Sequence, residues 1–296
     1  MKPDKEGFVT SVSACTVKAR WFTCNCTQIQ LPDGTSILFD PFINNGTGEC
    51  AFLNKCAFDF PLEKLERVDY ILINHAHGDH LADIGEIYKM YQPTVLCHPI
   101  IAMELCEKMD IPYSKITPID NGHSYDFGSF RLETYLGQHV RFMKPPAAMG
   151  NKPMKRDPRL LKLGNFGTMF NTNFIITTPN GTRVGFGPGL YECLQWGHWN
   201  EKNIDVFMRQ YYPADRPIVR RGTIWSDFAD ELEYVGAPVA IPIHHEMTYW
   251  ADSPYDDMNE FAQKVNEILA ERGSNIRMLN PERGKWYKVT FSLKQE

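Results

Sequence analysis

The run Tyr70-Ile71-Leu72-Ile73-Asn74-His75-Ala76-His77-Gly78-Asp79-His80 leads an apolar, strand-like segment directly into three histidines and an aspartate within six positions. Successive side chains of a strand point to opposite faces, so His75 and His77 share a direction. The turn at Gly78 brings Asp79 and His80 back toward the same point. Imidazole nitrogen with carboxylate oxygen suits zinc, and also manganese or iron(II) where further oxygen ligands and water complete the shell. A lone histidine is usually a solvated or core residue. Three of them behind a strand, with an aspartate among them, have metal-ligand spacing instead.

This pattern resembles the metallo-beta-lactamase superfamily, whose signature is His-x-His-x-Asp-His after a strand. The resemblance runs from about Val12 to about Trp250. Thr35-Ser36-Ile37-Leu38-Phe39-Asp40-Pro41 looks like the family strand that ends in Asp-Pro beside the metal. Leu132 to His139 is similar to the strand delivering the next histidine, and Val239-Ala240-Ile241-Pro242-Ile243-His244 to the last. Within the superfamily the pattern is most similar to the branch of ascorbate-6-phosphate lactonase. There a segment like Asn203-Ile204-Asp205-Val206-Phe207 precedes a helix, a small-residue turn like Val235-Gly236-Ala237-Pro238, and an Ile-Pro-Ile-His strand.

The resemblance implies an α/β fold of the αββα four-layer sandwich type. It implies one metal position at His75, His77 and His139 and a second at Asp79, His80 and His244. Asp79 and His80 are then the candidate catalytic residues, Asp79 orienting or deprotonating the attacking water. Asp40 would brace a histidine or the loop. One departure stands out: in Val184-Gly185-Phe186-Gly187-Pro188-Gly189, Pro188 occupies the place of the family's metal-bridging aspartate. Without that anion two cations repel with less compensation. One tightly held ion and a weaker second position are expected.

Around these motifs, strand-like runs fill Phe8 to Val17, Cys26 to Leu31, Ser36 to Asp40 and Tyr70 to Asn74. Helical patterns follow at Leu81 to Tyr91 and Ile100 to Lys108, with a strand at Thr94 to His98 between them. Further strands are expected near 124–127, 130–137, 173–178 and 183–186, helices at Trp225 to Val235 and Asp256 to Arg272, and a closing strand at Trp286 to Ser292. Strands, helices, strands and helices again are the order that two similar sandwich halves produce. The expectation is a single domain over 1–296, with a basic inserted loop at about 141–163.

That loop holds Arg141, Lys144, Lys152, Lys155, Arg156, Arg159 and Lys162 against one acid, Asp157, and its root follows His139 by two residues. Arg141 and Arg159 could clamp a phosphate or carboxylate through paired bonds. A solvated surface or a subunit contact within a homo-oligomer remains the competing reading. His245 follows His244 in the expected strand and should face away from the metal, leaving it a supporting or substrate-binding role. His98, before Pro99, is read as capping a turn.

The net charge of -5 over 296 residues carries no basic excess that would point to nucleic acid. No apolar run reaches the 18 or so residues of a spanning helix, and no signal region follows Met1. A cytoplasmic protein with a small-molecule substrate, no nucleic acid and no membrane contact is expected. Eight cysteines without a CxxC pair read as reduced thiols. Cys24 and Cys26, two apart in an expected strand, could suit a soft metal but read better as small core residues. Together these features point to a metal-dependent hydrolase. It would direct a metal-bound hydroxide at a small anionic substrate such as a phosphorylated lactone. A phosphodiesterase and a non-catalytic sensor that keeps the metal pocket are the alternatives.

Overall fold

The computed structural model describes residues 11–44, 58–76, 78–137, 171–187, 194–211, 222–245 and 258–294. Among these residues the strands form two sheets of seven. The first holds β1 (Ser11–Thr23), β2 (Cys26–Gln30), β3 (Ser36–Phe39), β4 (Tyr70–Leu72), β5 (Thr94–Cys97) and β6 (Ile116–Pro118). The second holds β7 (Ser124–Asp126), β8 (Arg131–Gly137), β9 (Asn171–Thr177), β10 (Arg183–Gly187), β11 (Val206–Gln210), β12 (Val239–Ile243) and β13 (Arg277–Met278). The last strand, β14 (Tyr287–Lys294), returns to pair with β1 at the edge of the first sheet.

The two sheets share one plan. In the first, β14, β1, β2 and β3 pair antiparallel, and β3 through β6 pair parallel. In the second, β7 through β10 pair antiparallel, and β10 through β13 pair parallel. Thus β14 fills in one sheet the place that β7 fills in the other. Parallel neighbours need a crossover, normally a helix. After the short α1 (Gly78–Leu81), α2 (Ile84–Tyr91) and α3 (Pro99–Met109) serve the first sheet. The helices α4 (Ile224–Val235) and α5 (Met258–Glu271) serve the second.

Alternation along the strands builds the layers. Ile37 and Phe39 of β3, Leu72 of β4 and Leu96 of β5 join Phe174, Ile176, Phe186, Val206 and Met208 in one core between the sheets. Their neighbours Leu38, Ile71, Val95 and Cys97 face the other way, onto Ile84, Ile87, Ile101 and Leu105 of α2 and α3. Likewise Ile175, Phe207 and Ala240 turn outward onto Phe228, Leu232, Phe261 and Val265 of α4 and α5. Three apolar interfaces separate four layers, which is the expected αββα sandwich. Among the described residues, no helix is long and apolar enough to cross a membrane.

Three local expectations are corrected. The helix expected over 81–91 breaks at Asp83. Its carboxylate Oδ2 accepts from the amides of Ile43 (2.5 Å) and Asn44 (3.1 Å), so it caps that loop rather than its own helix. The first strand continues past Val17 to Thr23, held by β14 on one side and β2 on the other. Cys24 and Cys26 do not share a strand, because Thr23 pairs with Cys26 and leaves Cys24 and Asn25 as the turn. His98 does cap, its Nδ1 accepting from the Ile100 amide at the start of α3.

Candidate metal centre

The ligand-bearing positions gather where β3, β4 and β12 end, beside the β1–β2 turn. Ligands of open α/β sheets bind outside the carboxyl ends of parallel strands. Here that end lies between the sheets. The His244 amide donates to the Cys24 carbonyl (2.8 Å), joining the end of β12 to the first sheet. The Thr172 amide donates to the Asn74 carbonyl (3.1 Å), and Asn74 Nδ2 donates to the Thr172 carbonyl (2.6 Å), joining β9 to the end of β4.

Asp79 stands at the centre. Its Oδ2 lies 3.2 Å from His244 Nε2 and 3.6 Å from His80 Nε2. The ring of His80 lies 3.9 Å, centroid to centroid, from that of His75 and 5.5 Å from that of His244. All four residues are no more than 5% exposed.

Two rings are oriented from behind. His80 Nδ1 donates to Asp40 Oδ2 (2.8 Å), while Asp40 Oδ1 accepts from the Asn74 amide (2.7 Å). His75 Nδ1 donates to Asn74 Oδ1 (2.5 Å), since the amide nitrogen of Asn74 is already committed to Thr172. Each bond fixes Nδ1 as the protonated nitrogen and makes Nε2 the lone-pair donor, the arrangement that supports a histidine ligand. Asp40 therefore braces His80, as the sequence reading anticipated.

The backbone is strained at the same place. Among the described residues, seven other than glycine have positive φ. Gln92 and Asp110 close helices, where a left-handed residue is ordinary, and Glu66 sits in a γ-turn in which the Arg67 amide donates to the Leu65 carbonyl (2.7 Å). Cys24 (φ 46°), Asp40 (φ 38°) and His244 (φ 63°) instead surround Asp79 and His80. Such conformations cost of order 1–3 kcal/mol each and collect at functional sites.

The donor set fits a divalent cation. A buried carboxylate is costly unless paired or coordinating a metal. Moreover, Asn25 Oδ1, on a fully buried side chain whose amide lies 3.5 Å from His80 Nδ1, has no hydrogen-bond partner among the described residues. The sequence-derived ligands His75, Asp79, His80 and His244 are brought together. His77 and His139, with Arg141, Arg159 and Pro188, lie outside the described residues, as does the whole basic loop. His245 is not in a strand, since β12 ends at Ile243, and its ring packs on Trp21 with centroids 4.6 Å apart.

One residue that the sequence reading weighed for a soft metal but set aside as core is Cys24, whose sulfur joins Asp79 and His244 in a buried trio with ligand atoms all within 4.8 Å of one another. The signal for it was the two-residue turn. Recognising Asn25 as a hairpin-turn residue would have moved Cys24 out of the strand.

A family model described as a beta-lactamase superfamily domain matches residues 35–245, and the chain belongs to that superfamily. A UPF0173 metal-dependent hydrolase of Carboxydothermus hydrogenoformans is 33% identical over 257 residues, covering 84% of this chain and 91% of the relative. Another from Listeria innocua is 25% identical over 256 residues, covering 86% and 96%. Among solved structures, Igni18, a metallo hydrolase from the archaeon Ignicoccus hospitalis, superposes with a TM-score of 0.59 at 18% identity. The match covers 96% of this chain and 100% of that one, and it concerns the fold.

Proposed function

We propose that the chain is a metal-dependent hydrolase of small anionic substrates, with phosphorylated lactones as the first class to test. The observation that carries this reading is the convergence of Asp79 Oδ2 with His244 Nε2 and His80 Nε2, 3.2 and 3.6 Å away. His75, His80, Asp79 and His244 would hold the cation, joined by His77 and His139 on the strength of the sequence motif. A divalent ion bound there lowers the pKa of water toward neutrality and polarises the oxygen it faces. Zinc leads, with manganese or iron(II) as alternatives.

The chain's own residues supply orientation and proton handling. Asp79, with Oδ2 beside His244 Nε2 and His80 Nε2, would orient or deprotonate the attacking water. Asp40 holds the His80 ring so that Nε2 faces that point, and Asn74 does the same for His75. Arg141 and Arg159, following the motif histidine in sequence, suit the anionic end of a substrate. His245 remains a substrate-side candidate through its place beside His244. The preference for lactones rests on the resemblance of the Ile-Pro-Ile-His strand to the lactonase branch, while the family names support hydrolysis by a metal.

Protein stripped by chelator and reconstituted with zinc, manganese or iron(II) should regain hydrolysis of phosphorylated lactones, and the Michaelis constant should rise with ionic strength. Faster cleavage of phosphodiesters than of lactones would move the assignment to that class. Ligand binding without turnover under any metal would support a sensor and overturn the enzyme reading.

A further inference from the structure

We infer that Cys24 is a thiolate ligand, making the metal position beside Asp79 a cysteine–aspartate–histidine site. This inference rests on the metal-dependent reading above and adds a donor that the His-x-His-x-Asp-His motif does not contain. Cys24 is fully buried, Asp79 and His244 are each 5% exposed, and one ligand atom from each lies within 4.8 Å of the others. Zinc–sulfur bonds near 2.3 Å and zinc–nitrogen or zinc–oxygen bonds near 2.1 Å set tetrahedral donors roughly 3.6 Å apart. Small side-chain rotations therefore close the trio around one ion.

The backbone delivers the sulfur. Thr23 pairs with Cys26, so Cys24 and Asn25 are a two-residue hairpin turn, where asparagine, aspartate or glycine are the favoured residues. Cysteine takes the first of these positions with φ 46°. Its carbonyl accepts from Trp21 Nε1 (2.8 Å) and from the His244 amide (2.8 Å), so the two presumed ligands spring from hydrogen-bonded backbone. Asn25 Oδ1, buried next in the chain, supplies an independent sign that a group is wanted here, since it lacks a hydrogen-bond partner among the described residues. Cys26 provides the contrast: its side chain packs in the core with residues of α2 and α3.

Charge gives the thiolate its purpose. On the sequence resemblance, Pro188 takes the place of the superfamily's bridging aspartate, which leaves Asp79 as the motif's only anion at this position. An ionised Cys24 adds a second negative charge, so Asp79 and Cys24 together neutralise one divalent cation. A sulfur donor also biases the position toward zinc or iron(II) and away from manganese.

Cobalt(II)-substituted protein tests the inference without an activity assay. Wild type should show the near-ultraviolet thiolate-to-cobalt charge-transfer band; Cys24→Ser should lose it, and Cys26→Ser should keep it. Should Cys24→Ser fold poorly, X-ray absorption at the zinc edge of the wild-type protein decides, with a sulfur scatterer at about 2.3 Å expected. Bound metal with only nitrogen and oxygen neighbours would overturn the Cys24 assignment and leave the hydrolase reading standing. Failure to bind any divalent ion would overturn both.

Discussion

Two buried polar clusters at the ends of neighbouring strands, β11 and β12, treat charge in opposite ways. Under α4, Arg209 of β11 meets Glu231 through Nε–Oε1 contact, its other nitrogens reaching the Gln210 carbonyl and Glu231 Oε2, over the face of Phe228. Cation and anion cancel inside the chain, and both residues are less than a tenth exposed. At the end of the next strand, His244 meets Asp79, His80 and Cys24, a set of lone-pair donors. Removing a partner from the first leaves an uncompensated charge, whereas the second, on the function proposed above, would be compensated by a bound cation. Burial alone therefore does not mark a site; the kind of groups buried together does.

The largest effect should come from Asp79→Ala. Hydrolysis should fall by roughly 10²–10⁴-fold, the range of a positioned acid–base group. The unfolding midpoint of metal-free protein should stay level or rise, because a buried carboxylate has gone. A marked loss of metal-free stability would mean that Asp79 is a structural ion-pair partner and would erase the contrast. Glu231→Ala should do the reverse. Denaturant unfolding should show a loss of about 3–5 kcal/mol, as for a broken buried pair, while metal content measured by elemental analysis stays the same.

Asp40→Asn sharpens the contrast from behind the site. The amide can still accept from the Asn74 amide but supports the His80 ring less strongly, so metal affinity should drop about 10–100-fold, measured by competition with a chromophoric chelator. An unchanged affinity would mean that Asp40 serves the β3 turn alone.

The smallest effect concerns a third cluster, on β8. Burial raises the Glu133 carboxyl, but the Tyr135 hydroxyl, Lys202 and Arg183 outweigh it and hold the group below its ordinary value of 4.5. A carboxyl depressed on folding stabilises above its unfolded value, and that stabilisation fades as pH falls through the folded one. Wild type should thus lose Tm on acidification below that ordinary value, and Glu133→Gln should flatten that limb. An equally steep limb in the variant would assign the acid sensitivity elsewhere.

Much of this architecture was legible because short apolar runs bounded by turn residues are a strong, local signal. Ile37-Leu38-Phe39 and Tyr70-Ile71-Leu72 read as strand-like, and they form β3 and β4. The short strands 116–118 and 277–278 were not legible, since so few residues carry no period and their pairing is set by neighbouring strands. The helix break at Asp83 was hidden for a related reason: its carboxylate serves amides some 40 positions upstream in sequence. At the site, His75, Asp79 and His80 were visible through spacing, and His244 through resemblance. Cys24 was set aside as core, because the convergence that matters joins a turn at 24 to a strand end at 244, a relation that only the packed sheets create.

The most direct test of the account is an anomalous difference map from crystals of protein grown with zinc, collected at the zinc absorption edge. A peak within bonding distance of Asp79 Oδ2 and His244 Nε2 is predicted. A flat map there, with those side chains bonded only to each other, would contradict the claim that the buried cluster is completed by a cation.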